Sequence, residues 1–268
     1  MTLNSLESEE NKNSLQKLLL NWPVNALYVS SWLTEHGYPY ELIQKYINSK
    51  WLKSPAKGIF LRYQDEINWQ GAIWALQKQL HLKIHVGSKS ALELVGYAHY
   101  LPLNKQTISI IVPENNFLPK WISKLKFNPK IKTYSTNIFK KTEVSSLTKI
   151  QIENLELILS APERAIIEMM YRIPSQYTFQ ETAEIFTSLT TLRPELVQNL
   201  LENCTSIKAK RIFLFLAELN NHKWFSKINT SKVELGKGKR VIEKNGIFNS
   251  KYLITVPKEL IDQEDTYE

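Results

Sequence analysis

The spacing of apolar residues at the start of the chain predicts two short helices. Their apolar positions recur at helical intervals, as Leu15, Leu18 and Leu19 in the first helix and Val29, Trp32 and Leu33 in the second. Pro23 ends the first helix because it lacks the N–H that the next turn would need. Gly37 ends the second helix, since glycine readily takes the left-handed conformation found at helix C-termini.

A third helix begins after Pro39 and is amphipathic. Its apolar positions fall on one stripe, which consists of Leu42, Ile43, Tyr46 and Ile47. The other face is polar or charged and consists of Tyr40, Glu41, Gln44, Lys45 and Asn48. Because an amphipathic helix buries its apolar stripe, we expect the polar face to be available to a partner.

Two short strands around a tight turn follow the third helix. Residues 51–53 and 59–63 have the pattern of strands, and residues 54–58, Ser-Pro-Ala-Lys-Gly, form the turn between them. The order of helix, turn, helix and hairpin predicts a winged helix-turn-helix. In that fold the third helix enters the major groove of DNA and the hairpin lies along the backbone. The alternative is a small helical domain that docks protein and carries solvated lysines.

The winged helix gives the polar residues of this segment expected roles. The third helix is expected to read base edges with Gln44, Lys45 and Asn48, with Tyr40 on the same DNA-binding face. Phosphate contacts are expected from Lys50, Lys53, Lys57 and Arg62. The alternative for Arg62 is a buried position on the second strand.

A larger mixed α/β domain is predicted after the hairpin, because the local positive charge falls after Arg62. We therefore divide the chain into residues 1–64, the winged helix, and residues 65–268, and we expect the fold class α+β. The second domain opens with a helix that carries Ile73, Trp74, Leu76 and Leu80. Strands follow at 84–86 and 107–112, with a helix between them whose N-cap is Ser88.

Helix-start patterns dominate the later part of this domain. Two capping boxes, Ser160 with Glu163 and Thr178 with Glu181, each announce a helix. Arg193-Pro194 opens another helix, and residues 207–219 form a longer one. Asn245-Gly246 predicts a hairpin turn between strands at 240–242 and 252–256.

The charge of the chain points to a polyanionic partner. The net charge is +8 and the isoelectric point is about 9.3. Residues 37–63 carry five basic residues against Glu41, a local charge of +4. Residues 205–251 carry eleven basic residues against three glutamates, a local charge of +8, which predicts a basic surface that binds nucleic acid or an acidic protein. Its expected members are Lys208, Lys210, Arg211, Lys237, Lys239 and Arg240. The alternative for both segments is a solvated face.

The composition argues against enzymatic, metal and membrane functions. Gly87-Ser88 after a strand has the form of a nucleotidyltransferase turn, but no aspartate lies between residues 66 and 261 to hold Mg²⁺. A nuclease site built on glutamates such as Glu234 or Glu243 stays open as an alternative. One cysteine and five histidines do not make a structural zinc site, and we expect no metal, no cofactor and no catalysis. The absence of a long apolar run and the polar N-terminus favour a cytoplasmic protein without membrane contact.

The chain resembles the AbiEi family of antitoxins of type IV toxin–antitoxin systems over nearly its whole length. In the first segment the resemblance is carried by Gly37-Tyr38, Trp51-Leu52 and Lys57-Gly58-Ile59-Phe60. Further along it is carried by residues 87–94, Gly96, His99-Tyr100 and residues 161–165, 192–194, 208–213 and 236–240. The turn Ser54-Pro55-Ala56 departs from the pattern because it is less basic than the expected wing.

The resemblance implies an antitoxin that also regulates transcription. Members of the family are similar in combining an N-terminal winged helix, which represses their own operon at inverted repeats in double-stranded DNA, with a C-terminal domain that counters a toxin. The implied toxin resembles nucleotidyltransferases and is opposed without a stable complex. Two alternatives from other classes are a DNA-targeted enzyme with a glutamate-based metal site and a winged-helix adaptor that binds protein.

Overall fold

The computed structural model describes residues 13–97, 107–114, 116–141 and 144–261. The chain divides into two compact units, of which the first contains residues 1–85, 102–134 and 149–158 and the second contains the rest. The chain passes between the units several times, so this grouping follows packing and not sequence order. The division at residues 64 and 65 stays a prediction.

The first unit begins with three short helices, a short strand and a hairpin. In chain order these are α1 (13–20), β1 (Tyr28–Val29), α2 (Ser30–Glu35), α3 (Tyr40–Asn48), β2 (Leu52–Ala56) and β3 (Ile59–Arg62). The strands pair antiparallel in the order β1-β3-β2. Val29, expected in the second helix, lies instead in β1 opposite Ile59. The turn is shorter than expected, because β2 extends to Ala56 and leaves only Lys57 and Gly58 between the strands.

A single apolar cluster holds these elements together. Ile43 and Tyr46 of α3 are buried with Leu33 of α2 and Leu52 of β2, at 4% exposure or less. The predicted stripe of α3 is therefore confirmed, and Leu42 and Ile47 pack at its edges. Burial of these side chains fixes which face of α3 is exposed.

Two glutamines complete the hydrogen bonding of short strands in the first unit. Helix α4 (Trp69–Trp74) continues as a π-helix over Ala75–Gln79. Gln79 accepts a hydrogen bond from the Val29 N–H (2.8 Å) and donates one to the Leu27 carbonyl (2.9 Å). Gln77 accepts from the Ile158 N–H (2.9 Å) and donates to the Ile158 carbonyl (2.9 Å). Buried amide side chains thus pair backbone groups that no neighbouring strand is seen to pair.

A five-stranded sheet has the strand order β6-β5-β4-β8-β7. Its strands are β4 (His85–Val86), β5 (Thr107–Pro113), β6 (Lys130–Thr136), β7 (Leu147–Ile152) and β8 (Leu155–Ser160). The pairing of Val86 with Leu159 is parallel. Two short helices, α5 (Ser88–Leu94) and α6 (Trp121–Lys124), lie between these strands in the sequence. The strands predicted near residues 84–86 and 107–112 are confirmed as β4 and β5.

Four helices and a hairpin form the later part of the second unit. They are α7 (Pro162–Tyr171), α8 (Phe179–Thr187), α9 (Pro194–Asn203), α10 (Ile207–Leu219), β9 (Ile247–Asn249) and β10 (Ile254–Val256). The four predicted helices are confirmed, and Thr178 caps α8 by accepting the Glu181 N–H (3.0 Å). None of the helices described is long and apolar enough to span a bilayer.

The predicted caps at Ser88 and Ser160 are wrong: Ser160 donates its hydroxyl to a buried carboxylate, and Ser88 is the first residue inside α5, with a left-handed backbone (φ +52°). Gly87 and Ala161 occupy the cap positions, without side-chain caps. Glu168, 2% exposed, accepts from the Ser88 N–H (3.0 Å), the Ser160 hydroxyl (2.9 Å) and Arg164 Nε (2.8 Å).

Glu163, the other half of the capping box expected at Ser160, binds Arg193 instead. Its carboxylate accepts from the N–H and from Nε of Arg193, each at 2.9 Å. Burial alone would raise the pKa of this carboxyl, but the bonds from Arg193 outweigh burial and leave the pKa below its usual value. The Glu163 carboxylate therefore holds the start of α9 and does not cap α7.

The predicted hairpin turn at Asn245-Gly246 is also wrong. The turn lies at residues 250–253, between β9 and β10. Gly246 serves a close approach instead, because a Cβ at this position would lie 2.1 Å from the carbonyl oxygen of Val256. The chain still turns at Lys244 and Asn245, where the Gly246 N–H donates to the Glu243 carbonyl (3.4 Å), but this turn does not join the two paired strands.

Replacing Gln79 with methionine is expected to lower the free energy of unfolding by about 2 to 4 kcal/mol, because the Val29 N–H and the Leu27 carbonyl both lose their partner. Chemical denaturation of the full chain measures this change. Gln16→Met, at an exposed position of α1, is the matched control and should leave stability nearly unchanged. Equal stabilities of the two variants would contradict the role assigned to Gln79.

Candidate nucleic-acid interface

The polar face of α3 is open to solvent. Tyr40 is 58% exposed, Lys45 and Asn48 are exposed, and Gln44 is half-buried. The buried Ile43 and Tyr46 lie on the opposite side of the helix. Four of the residues expected to contact DNA therefore share one surface of one helix, whose dimensions suit the major groove.

The hairpin presents lysines beside a rigid turn. Lys57 is exposed in the turn and Lys53 is half-buried on β2. Gly58 has φ +75°, and its carbonyl accepts the Ser30 N–H at 2.9 Å, so the turn is tied to the start of α2. Within the described part of the chain, Lys45, Lys50, Lys53 and Lys57 take part in no ion pair. Their charges are therefore available to an external anion.

Lys50 has a left-handed backbone at the end of α3. Its φ is +58°, its N–H donates to the Ile47 carbonyl (3.0 Å), and the Trp51 N–H donates to the Tyr46 carbonyl (2.9 Å). This pair of bonds is the Schellman motif, in which the left-handed residue is usually glycine. Gly37 occupies the same position after α2 and makes the equivalent bonds. A lysine in this left-handed position lowers the stability of the fold, so stability does not explain why lysine occurs here.

Arg62 lies in an ion pair and not on an open surface. Its Nε and Nη2 donate to the two carboxylate oxygens of Asp65, at 2.9 and 3.0 Å. Asp65 is buried and also accepts the Asn25 N–H at 2.7 Å. The guanidinium therefore neutralises a carboxylate that holds the turn before β1, and Arg62 itself is half-buried on β3.

Two exposed aromatic residues at the base of the hairpin were missed in the sequence. Trp51 is 52% exposed and Tyr63 is 46% exposed, and the Tyr63 N–H donates to the Trp51 carbonyl at 2.9 Å. Their positions could have identified them, because each is a large aromatic residue at the outer end of a predicted strand. They extend the exposed surface next to Lys50.

The basic C-terminal segment is only partly a surface. Lys237, Lys239 and Arg240 are exposed, but Lys210 and Arg211 are 2% and 1% exposed, so their predicted surface position is wrong. Lys208 is half-buried and donates to the Ile173 carbonyl, and burial lowers the pKa of its ammonium.

Arg211 is buried because it organises the neighbouring loop. Its guanidinium donates to the carbonyls of Leu235 (2.9 Å), Gly236 (3.2 Å), Gly238 (2.7 Å) and Leu253 (3.2 Å). The loop that carries Lys237 and Lys239 is thus folded around a buried cation, which turns the loop carbonyls inward.

No group of three or more histidine, cysteine, aspartate or glutamate side chains suited to a metal ion occurs among the residues described. The candidate site of the first unit is thus a polar helix face, a basic hairpin and two exposed aromatic residues, a combination typical of a DNA-binding regulator.

Comparisons with known proteins identify the family. The profile of the AbiEi antitoxin N-terminal domain, described as a transcriptional regulator, matches residues 11–103. The profile described as "Transcriptional regulator, AbiEi antitoxin, Type IV TA system" matches residues 105–257. The chain belongs to this family of AbiEi antitoxins and transcriptional regulators of type IV toxin–antitoxin systems, which confirms the resemblance seen in the sequence.

The fold is similar to that of a solved protein. The crystal structure of the RV2827C protein from Mycobacterium tuberculosis superposes with a TM-score of 0.56 and covers 94% of each chain, at 14% identity. At this identity the likeness concerns the fold alone. No match was found among curated proteins.

Replacing Lys50 with glycine is expected to raise the free energy of unfolding by about 0.5 to 1 kcal/mol, because glycine removes the left-handed strain and this gain exceeds the added entropy of the unfolded chain. Chemical denaturation measures the change. Lys57→Gly, at a turn residue outside the left-handed region, is the control and should not stabilise. A loss of stability in Lys50→Gly would contradict the assigned strain.

Proposed function

We propose that residues 1–64 form a winged helix-turn-helix that binds double-stranded DNA at inverted repeats in the promoter of its own operon and represses that operon. The observation that carries this proposal is the exposed polar face of α3 beside the basic β2–β3 hairpin, both fixed by one apolar cluster. Family membership supports a regulatory function, and the order of elements matches a winged helix.

The exposed residues divide into two roles. Gln44, Lys45 and Asn48 project from α3 and read base edges in the major groove, with Tyr40 at the start of the helix. Lys50, Lys53 and Lys57 contact phosphates, and each contact releases counterions. Arg62 is assigned to structure, because Nε and Nη2 of its guanidinium already donate to Asp65.

The strained backbone at Lys50 is a second observation in favour of a DNA contact by this residue. Glycine would be more stable than lysine at position 50. The chain nevertheless has a long cationic side chain there, at the C-terminal end of the candidate recognition helix. Strained backbone positions tend to occur where function requires a particular side chain. Contact with a phosphate next to the end of α3 provides such a requirement.

The remainder of the chain, residues 65–268, is assigned to antitoxin activity. In this proposal it opposes a nucleotidyltransferase-type toxin without a stable complex and without catalysis of its own. Membership of the antitoxin family supports this assignment. An assay of duplex DNA cleavage with added Mg²⁺ or Mn²⁺ distinguishes it from the nuclease alternative at Glu234 and Glu243, because a binder retards the duplex but leaves it intact.

Paired substitutions test the division of labour on DNA. Lys45→Ala with Asn48→Ala is expected to reduce the preference for the promoter over a scrambled duplex, by about 1 to 3 kcal/mol per lost base contact. Lys53→Ala with Lys57→Ala is expected to weaken binding to both duplexes and to lower the slope of log K against log salt by about two. Fluorescence anisotropy with both duplexes across a salt series measures these effects.

Lys17→Ala, at an exposed position of α1, is the matched control and should change neither quantity. Equal effects of the two pairs on promoter and scrambled DNA would refute the assigned roles. Absence of DNA binding at low salt would favour a winged-helix adaptor for protein.

A further inference from the structure

Strand β9 has an edge that no other described strand covers. It pairs antiparallel with β10, and Phe248 is opposite Thr255. Thr255 donates its N–H to the carbonyl of Arg240 (3.1 Å), on the side of β10 away from β9. Opposite residues of an antiparallel ladder exchange either both hydrogen bonds or none. Phe248 therefore turns its N–H and carbonyl away from β10, toward the open edge.

Apolar side chains surround this edge. Phe248 and Ile247 of β9 are each 37% exposed. Ile247 is on the same face of the hairpin as its fully buried partner Val256, and Phe248 is on the other face. An open strand edge with exposed apolar side chains is a template for pairing with another chain.

Positive charge sets the chemistry of the partner. Residues 237–249 contain four basic residues against Glu243, a local charge of +3. Lys239 places Nζ 4.6 Å from the centre of the Phe248 ring. A segment added along β9 would therefore meet a cation on the Phe248 face and apolar side chains on the Ile247 face.

We propose that the open edge of β9 binds an extended, acidic segment of a partner protein, which adds as a third strand through the N–H and carbonyl of Phe248. Acidic residues of the segment lie on the Lys239 face and apolar residues on the Ile247 face. Addition of a strand to an open edge is a common mode of peptide recognition, in which backbone bonds give affinity and alternate side chains give specificity.

Other occupants fit this edge less well. A second copy of the chain paired through β9 would bring like charges face to face. Duplex DNA would use the lysines but not the strand N–H, the strand carbonyl or the apolar side chains. The surface lies outside residues 1–64, so its occupation does not require that those residues bind DNA.

Titration of the ¹⁵N-labelled full chain with the blocked peptide Thr-Glu-Val-Glu-Val-Glu-Thr, followed by NMR, tests this proposal. The peptide is expected to shift the amide of Phe248 and its neighbours, whereas the same peptide with lysine for glutamate is not. Lys239→Glu is expected to weaken binding at least tenfold. Lys232→Glu, at an exposed lysine elsewhere in the unit, is the matched control and should bind as the unchanged protein does.

Four results would overturn the proposal, each in favour of another explanation. Equal shifts with the two peptides, or no shifts with either, would show that the edge of β9 does not bind acidic segments. Larger shifts at Phe248 with random duplex DNA would assign the edge to nucleic acid. Shifts that grow with protein concentration alone would assign it to a second copy. Tighter peptide binding after conversion of Asp262, Glu264, Asp265 and Glu268 to amides would assign it to the chain's own acidic residues.

Discussion

Buried backbone N–H and carbonyl groups must find hydrogen-bond partners, and in this protein a few buried polar side chains supply them. Gln79 completes β1, Asp65 holds the N–H of Asn25, Glu168 holds the N–H of Ser88, and Arg211 binds four carbonyls of residues 235–253. Many of the strands are only two or three residues long, so strand pairing alone leaves such groups exposed to apolar surroundings. The short elements depend on these side chains.

The need to pair buried polar groups also divides the charged residues into two sets. One set is bonded within the fold, and the other is exposed and available to a partner. Arg62 and Arg211 are guanidinium groups already used by a carboxylate and by carbonyls, respectively. Lys45, Lys57 and Lys239 are exposed. A planar guanidinium with five donors suits a crowded polar site, whereas the flexible ammonium of lysine is well hydrated at the surface. The lysines therefore carry the electrostatics through which this regulator would meet DNA or an acidic segment.

Two kinds of surface result from this arrangement. In the first unit, α3 and the hairpin offer polar and basic side chains, and the backbone groups of α3 are paired within the helix. In the second unit, β9 offers backbone groups as well as side chains. The two surfaces therefore offer different chemistries to their proposed partners.

The sequence by itself determined those helices whose position depends on nearby residues. Helical spacing gave α3 and its two faces, Pro194 and Thr178 fixed the starts of two helices, and Gly37 ended α2, since each depends on residues within one or two turns. The motifs of both segments also identified the family. Only the tertiary structure decided the rest. Glu168 accepts the Ser160 hydroxyl that was expected to cap a helix, Gly246 lies against the carbonyl of Val256 while the hairpin turn forms at residues 250–253, and Arg211 is buried against the carbonyls of its loop. These outcomes depend on partners far away in the sequence, and local propensity carries no information about such partners.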